Sequence, residues 1–136
     1  MADRIRRVDY FYVEVPDKPG EGARVLAQIK EAGVNLVSFT AFPTSSGKAQ
    51  LDLVAQDPGA LEKAAKSAGL KLSPRKQAFF VEGSDRTGAA AETFRKLATA
   101  GINVTAANGC GTQGQYGLVI WVKPDKLEAA AKALGV

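Results

Sequence analysis

Residues 17–35 read D-K-P-G-E-G-A-R-V-L-A-Q-I-K-E-A-G-V-N, and residues 85–103 read D-R-T-G-A-A-A-E-T-F-R-K-L-A-T-A-G-I-N. At an offset of 68, Asp17 matches Asp85, Gly20 matches Gly88, Gly33 matches Gly101 and Asn35 matches Asn103. A repeat of that length makes the chain two copies of one small α/β unit. Function is therefore to be sought in what a pair of such units can do.

Outward from the first copy, Val8–Val15 is an aromatic and β-branched run that reads as a strand. Asp17-Lys18-Pro19-Gly20 breaks it, with Pro19 expected in the first turn of a helix, where its missing N–H costs nothing. Ala23, Leu26, Ile29 and Ala32 then recur as one apolar stripe, and Gly33 ends the helix. Val34–Phe42 reads as a second strand. After the turn Pro43–Gly47 comes a third strand near Lys48–Ala55. Asp57 is placed to cap a second helix with Pro58 at its first position and Leu61, Ala64, Ala65 and Ala68 inward. Leu70–Ser73 can form a short fourth strand. The order is β-α-β-β-α-β, the ferredoxin-like motif.

The second copy repeats it: strand Ala78–Glu82, helix Gly88–Ala100 with Phe94 and Leu97 inward, and strand Ile102–Asn108. A glycine-rich turn at Gly109–Gly114, strand Tyr116–Val122 and a last helix with Leu127, Ala130, Ala131 and Leu134 follow. The division expected is residues 1–75 and 76–136. The second copy ends without a fourth strand of its own, and residues 3–7 are expected to fill that place, in the same chain or a partner.

With 136 residues, each half is near the lower limit of independent stability, so pairing of the halves is expected to add core. The 46% hydrophobic and 24% charged content is that of a soluble globular protein. No apolar run reaches the roughly 20 residues that span a bilayer, and Met1–Arg7 lacks the apolar stretch of a secretory signal. A cytoplasmic location without membrane association is expected. One cysteine excludes an intrachain disulfide, and the absence of histidine removes Cys/His zinc sites and every histidine-based triad. No cofactor, metal or catalytic residue is expected. Cys110, between two glycines, reads as part of a hairpin turn rather than an activated thiol.

The D-x-x-G break, the Leu26/Ile29 and Phe94/Leu97 helices, and the A-G-V-N-L and A-G-I-N-V steps into the second strand together resemble the ACT domain family, small regulatory modules on enzymes of amino-acid metabolism. The resemblance covers nearly the whole chain and is narrower still to stand-alone tandem ACT proteins. It implies an α+β fold of two ferredoxin-like modules paired side by side in one antiparallel sheet with helices on one face. It also implies an amino-acid ligand between the strand–helix loop of one module and the start of the second strand of the other. Carried over, the loop residues are Asp17, Gly20 and Glu21, and Asp85, Gly88 and Ala89. The strand residues are Asn35 with Leu36, and Asn103 with Val104.

The residue chemistry suits this use. A glycine beside a helix start lets a ligand carboxylate approach amides that the helix leaves unpaired. An aspartate accepts hydrogen bonds from an α-ammonium group, and an asparagine both donates and accepts. Each residue also has a plainer reading: Asp17 and Asp85 as helix caps, Asn35 and Asn103 as turn residues. The copies differ, with Pro16, Pro19 and Glu21 replaced by Ser84, Thr87 and Ala89, so the loop of Asp17 and Gly20 is expected to make the better site.

The resulting expectation is a non-enzymatic amino-acid sensor, a homodimer acting on a regulated enzyme or a transcription-related partner. The alternative is an assembly module that binds nothing small. Nucleic-acid binding is disfavoured, because Lys48–Ala55 carries no aromatic and the net charge is only +4.

Overall fold

The computed structural model describes residues 3–136. By internal contacts the chain divides into a first unit, Asp9–Lys76, and a second unit, Gln77–Val136 together with the residues up to Val8. Strand β1 (Arg4–Pro16) therefore gives its early residues to the second unit and its later ones to the first.

In the first unit, β1 is followed by α1 (Glu21–Glu31), β2 (Leu36–Pro43), β3 (Lys48–Ala55) and α2 (Pro58–Ala68). The strands lie in the order β2-β3-β1, each antiparallel to its neighbour, with Phe11 opposite Leu53 and Val13 opposite Leu51. Alternation puts Phe11, Val13, Val15, Leu51 and Leu53 on one face, where Val25 and Ile29 of α1 and Leu61 of α2 close over them. Leu70–Ser73 runs beside β1 without forming a strand. Ser73 N donates to Tyr12 O (2.8 Å), and Ser73 Oγ accepts from Tyr12 N (2.9 Å).

The second unit repeats the plan with β4 (Lys76–Ser84), α3 (Ala89–Thr99), β5 (Ala106–Thr112), β6 (Gln115–Trp121), a 3₁₀ turn at Pro124–Lys126 and α4 (Leu127–Leu134). Here β6 lies between β4 and β5, antiparallel to both, with Phe79 opposite Ile120. The residues of β1 up to Val8 flank β4: Arg4 pairs with Glu82 (3.6 Å), Arg6 lies over the Phe80 ring, and Ile5 packs on the core. That core is Phe79, Val81, Leu118 and Ile120 under Leu97, Ala130, Ala131 and Leu134. The chain is α+β, with the β-α-β-β-α order made twice.

Several local expectations need correction. The buried faces of α1 and α3 keep Ile29 and Leu97 of the expected stripes but take Val25 and Thr93 in place of other expected members. Val25 and Ile29 are buried while Ala23 and Ala32 are exposed; Thr93 is 2% exposed and Phe94 37%. Pro19 precedes α1, in the turn before Gly20, rather than lying in its first helical turn. The strand expected at Ile102–Asn108 is β5, displaced to Ala106–Thr112, so Gly109-Cys110-Gly111 lies in a strand. The turn is only Gln113-Gly114, both at positive φ (50° and 77°), the signature of a two-residue hairpin. By contrast, α2 starts as read, with Asp57 Oδ1 accepting from Ala60 N (3.1 Å) and Pro58 in the first turn.

Asp52 is the one carboxylate in the run of buried residues Leu51–Ala55, only 8% exposed. Burial raises its pKa, against the opposing hydrogen bond from Gln50 Nε2 (2.9 Å) and the attraction of Lys76. The equivalent ladder position in the second unit, opposite Phe80 as Asp52 is opposite Tyr12, is the buried Val119. A raised carboxyl pKa favours folding only below its own titration range and opposes it above. Asp52→Asn is thus expected to raise Tm by a few degrees at neutral pH, with the advantage closing as the pH falls through the carboxylate range. Thermal melts at several pH values check this; a lower Tm for the variant at neutral pH would show that the charge stabilises.

Candidate ligand site

The two strand–helix loops share one backbone design. Gly20 and Gly88 stand at the caps of α1 and α3 in the left-handed region (φ 93° and 82°), where a side chain would be strained. A Cβ added at either would meet nothing within 4 Å, so the space above both is open. Neither helix start has a side-chain cap, so Asp17 and Asp85 do not serve as caps. At α1, Glu21 N reaches Lys18 O (3.4 Å) and Arg24 N bonds Gly20 O (2.9 Å). Helix geometry leaves Gly22 and Ala23 amides without an intrahelical acceptor, at the positive end of the helix dipole.

Asp17 is exposed beside this opening, its loop anchored by Asp17 N to Gly47 O (2.9 Å). Glu21, in the first turn, pairs with Arg24 (3.5 Å). In the second loop, Asp85 N bonds Gly114 O (2.9 Å), and the Asp85 carboxylate presses on β5, with Oδ2 3.0 Å from where a Cβ on Gly111 would sit. Ala89, expected in the site, is 5% exposed and belongs to the core.

The strand residues form a different feature. A shallow cleft of about 400 Å³ at the end of α1 is lined by Leu26, Ile29, Lys30, Val34, Asn35 and Leu36, with Gly33. It brings together Asn35 and Leu36 but not Asp17, Gly20 or Glu21. Asn35 is exposed and its carbonyl accepts from Gln56 N (2.9 Å), while Leu36 also leans on the core. Lys30 was not among the expected residues. It lies on the polar face of the helical pattern, and only the folded turn at Gly33 carries it beside Asn35. In the second unit Asn103 is exposed and Val104 packs on the core.

One distance governs how these parts work. The loop set and the strand set of a unit lie at opposite ends of an 11-residue helix, roughly 16 Å apart at 1.5 Å per residue. A free amino acid cannot touch both ends. Within one unit the loop set and the strand set therefore do not form a single site for so small a molecule. A larger groove of about 600 Å³ between α1 and α2 is lined by Gln28, Glu31, Lys63 and small residues, and includes none of the expected residues. Among the described residues no cluster could hold a metal ion, and no helix is long and apolar enough to cross a membrane.

The same architecture recurs in solved structures. The protein BT0572 from Bacteroides thetaiotaomicron superposes with a TM-score of 0.80 at 16% identity, over 97% of this chain and 91% of that one. The ligand-free regulatory subunit of aspartate kinase from Thermus thermophilus gives 0.64 at 17% identity, over 98% and 94%. This chain has the fold of that subunit. A putative C-terminal regulatory domain of aspartate kinase from Porphyromonas gingivalis W83 gives 0.59 at 12% identity, over 98% and 95%. No family model and no curated protein sequence matches.

Proposed function

We propose that the chain is a tandem ACT-type regulatory protein that binds an α-amino acid and has no catalytic role of its own. Each unit is one module, divided near residues 75 and 76, the second completed by the residues leading up to Val8. The ligand lies where the loop of one module meets the strand-two half-site of another, in the same chain or in the second chain of a homodimer. Its carboxylate takes the free amides at Gly22 and Ala23, its ammonium group takes Asp17, and an asparagine, Asn35 or Asn103, bonds the remaining polar atoms. Ligand occupancy then shifts the population that engages a cytoplasmic partner enzyme, by as much as its affinities for the two states differ.

The observation that carries this reading is the α1 start: an open left-handed glycine, unused amides and an aspartate that caps nothing. The likeness in fold to aspartate kinase regulatory subunits agrees with it. A thermal-shift screen against the twenty amino acids tests it. A true ligand at a hundred times its Kd stabilises by about 2.7 kcal/mol, expected to raise Tm by several degrees. If no amino acid raises Tm, sensing is excluded and the assembly reading takes its place.

A further inference from the structure

The two loops, alike in backbone, differ in what lies beneath them. In the second unit, Arg86 forks onto Asp3, with Nη1 to Oδ1 at 3.0 Å and Nη2 to Oδ2 at 3.2 Å. The same guanidinium bonds Ser84 O (3.1 Å) and Glu92 Oε2 (2.7 Å), so its forked donors are engaged within the unit. Tyr116 donates its hydroxyl to Asp3 Oδ2 at 2.6 Å. The Asp3 side chain is only 10% exposed and rests on Gly83, where a Cβ would stand 2.3 Å from its Oδ1. Arg86 and Tyr116 hold the Asp3 carboxyl below the usual carboxylate range, so it stays charged at neutral pH.

The first unit has none of these parts. Lys18 stands at the place of Arg86 and Val15 at the place of Gly83; by strand register Ala49 takes the place of Tyr116. Val15 is buried, with Ala49 and Leu70 packed on its apolar cluster. Two floor positions thus change together, Val15 to Gly83 and Ala49 to Tyr116, and with Arg86 above them they make a polar nest that fits one carboxylate. Surface ion pairs contribute little singly, but a bidentate pair braced by a buried phenol fixes a geometry.

We propose that Asp3 is an internal ligand of Arg86, a latch that holds the 85–88 loop in one conformation and leaves the 17–20 loop as the responsive one. The latch makes the two modules unequal whether or not a small molecule binds. Its consequence is that the guanidinium of the second loop is already engaged by an internal anion, while Lys18 of the first has no such latch.

Hydrogen exchange of the full chain, free of ligand, tests it with Asp3→Asn, Arg86→Gln and the double variant. Each single change is expected to speed exchange at the Asp85 and Ala89 amides, which bond Gly114 O and Arg86 O at the two ends of this loop, by about tenfold or more, as a local opening is eased. The double variant should be no faster than either single, and the matching Asp17 and Glu21 amides of the first loop should not change. Unchanged exchange at Asp85 and Ala89 in the folded Asp3→Asn protein overturns the latch, and so does additivity in the double variant. Should Asp3→Asn fail to fold, Tyr116→Phe removes only the 2.6 Å bond. It is expected to give a smaller acceleration at the same residues, and none would overturn the proposal.

Discussion

Phe79→Ala is expected to cost about 3–5 kcal/mol, the usual effect of emptying a buried aromatic site, and Phe11→Ala about the same. Both rings are essentially inaccessible, at equivalent places in the two copies, opposite Ile120 and Leu53. Each lies at the centre of its cluster, with the facing strand beside it and two helices above, so rigid neighbours limit collapse into the cavity. Against a total of about 5–15 kcal/mol for a native protein, either change leaves little margin. Urea unfolding measures it as a lowered midpoint with unchanged slope. The informative control is Phe94→Ala, expected to cost less than about 1 kcal/mol because the ring is on the exposed side of α3. Equal losses at Phe79 and Phe94 would show that α3 buries the other face.

That control bears on what the sequence could reveal. The matched glycines were legible because the backbone demands them: Gly20, Gly88, Gly33 and Gly101 all have φ between 73° and 93°, a region costly for other residues. Duplication preserved this constraint at fixed spacing, and the β-α-β-β-α order followed from it. The helix face was harder to read. In α3 the large apolar Phe94 outweighs Thr93 on any hydrophobicity pattern, yet Thr93 holds the place of the buried Val25. The β5 shift had a similar cause. Gly109 and Gly111 read as a turn but lie in a strand, at places where Leu118 and Asp85 approach too closely for a comfortable side chain. The Asp3–Arg86 pair joins the two segments of the second unit across 83 residues of sequence, and no local pattern announces it. Of the candidate site, the loop glycines were legible as backbone geometry, whereas the core burial of Ala89 and the arrival of Lys30 beside Asn35 depend on packing.

The unequal loops give the second large expectation: Asp17→Asn weakens amino-acid binding, and Asp85→Asn hardly changes it. Asparagine keeps the size and an acceptor oxygen but loses the charge that would meet an α-ammonium group. Hydrogen bonds to charged groups contribute about 1.5–3 kcal/mol, so the loss expected at Asp17 is roughly tenfold to a hundredfold in Kd. Folding should be spared, because Asp17 caps no helix and its backbone bond to Gly47 O is unaffected. In the second loop the Asp85 carboxylate leans on β5 beside Gly111, and Arg86 is already paired with Asp3. That loop has less to offer a new ligand, and calorimetry should find one strong event per module pair, abolished through Asp17. Equal losses from both substitutions would mean that the latch does not decide which loop binds. No loss from either, with a ligand still bound, would move the site away from the loops and toward the cleft at Lys30 and Asn35.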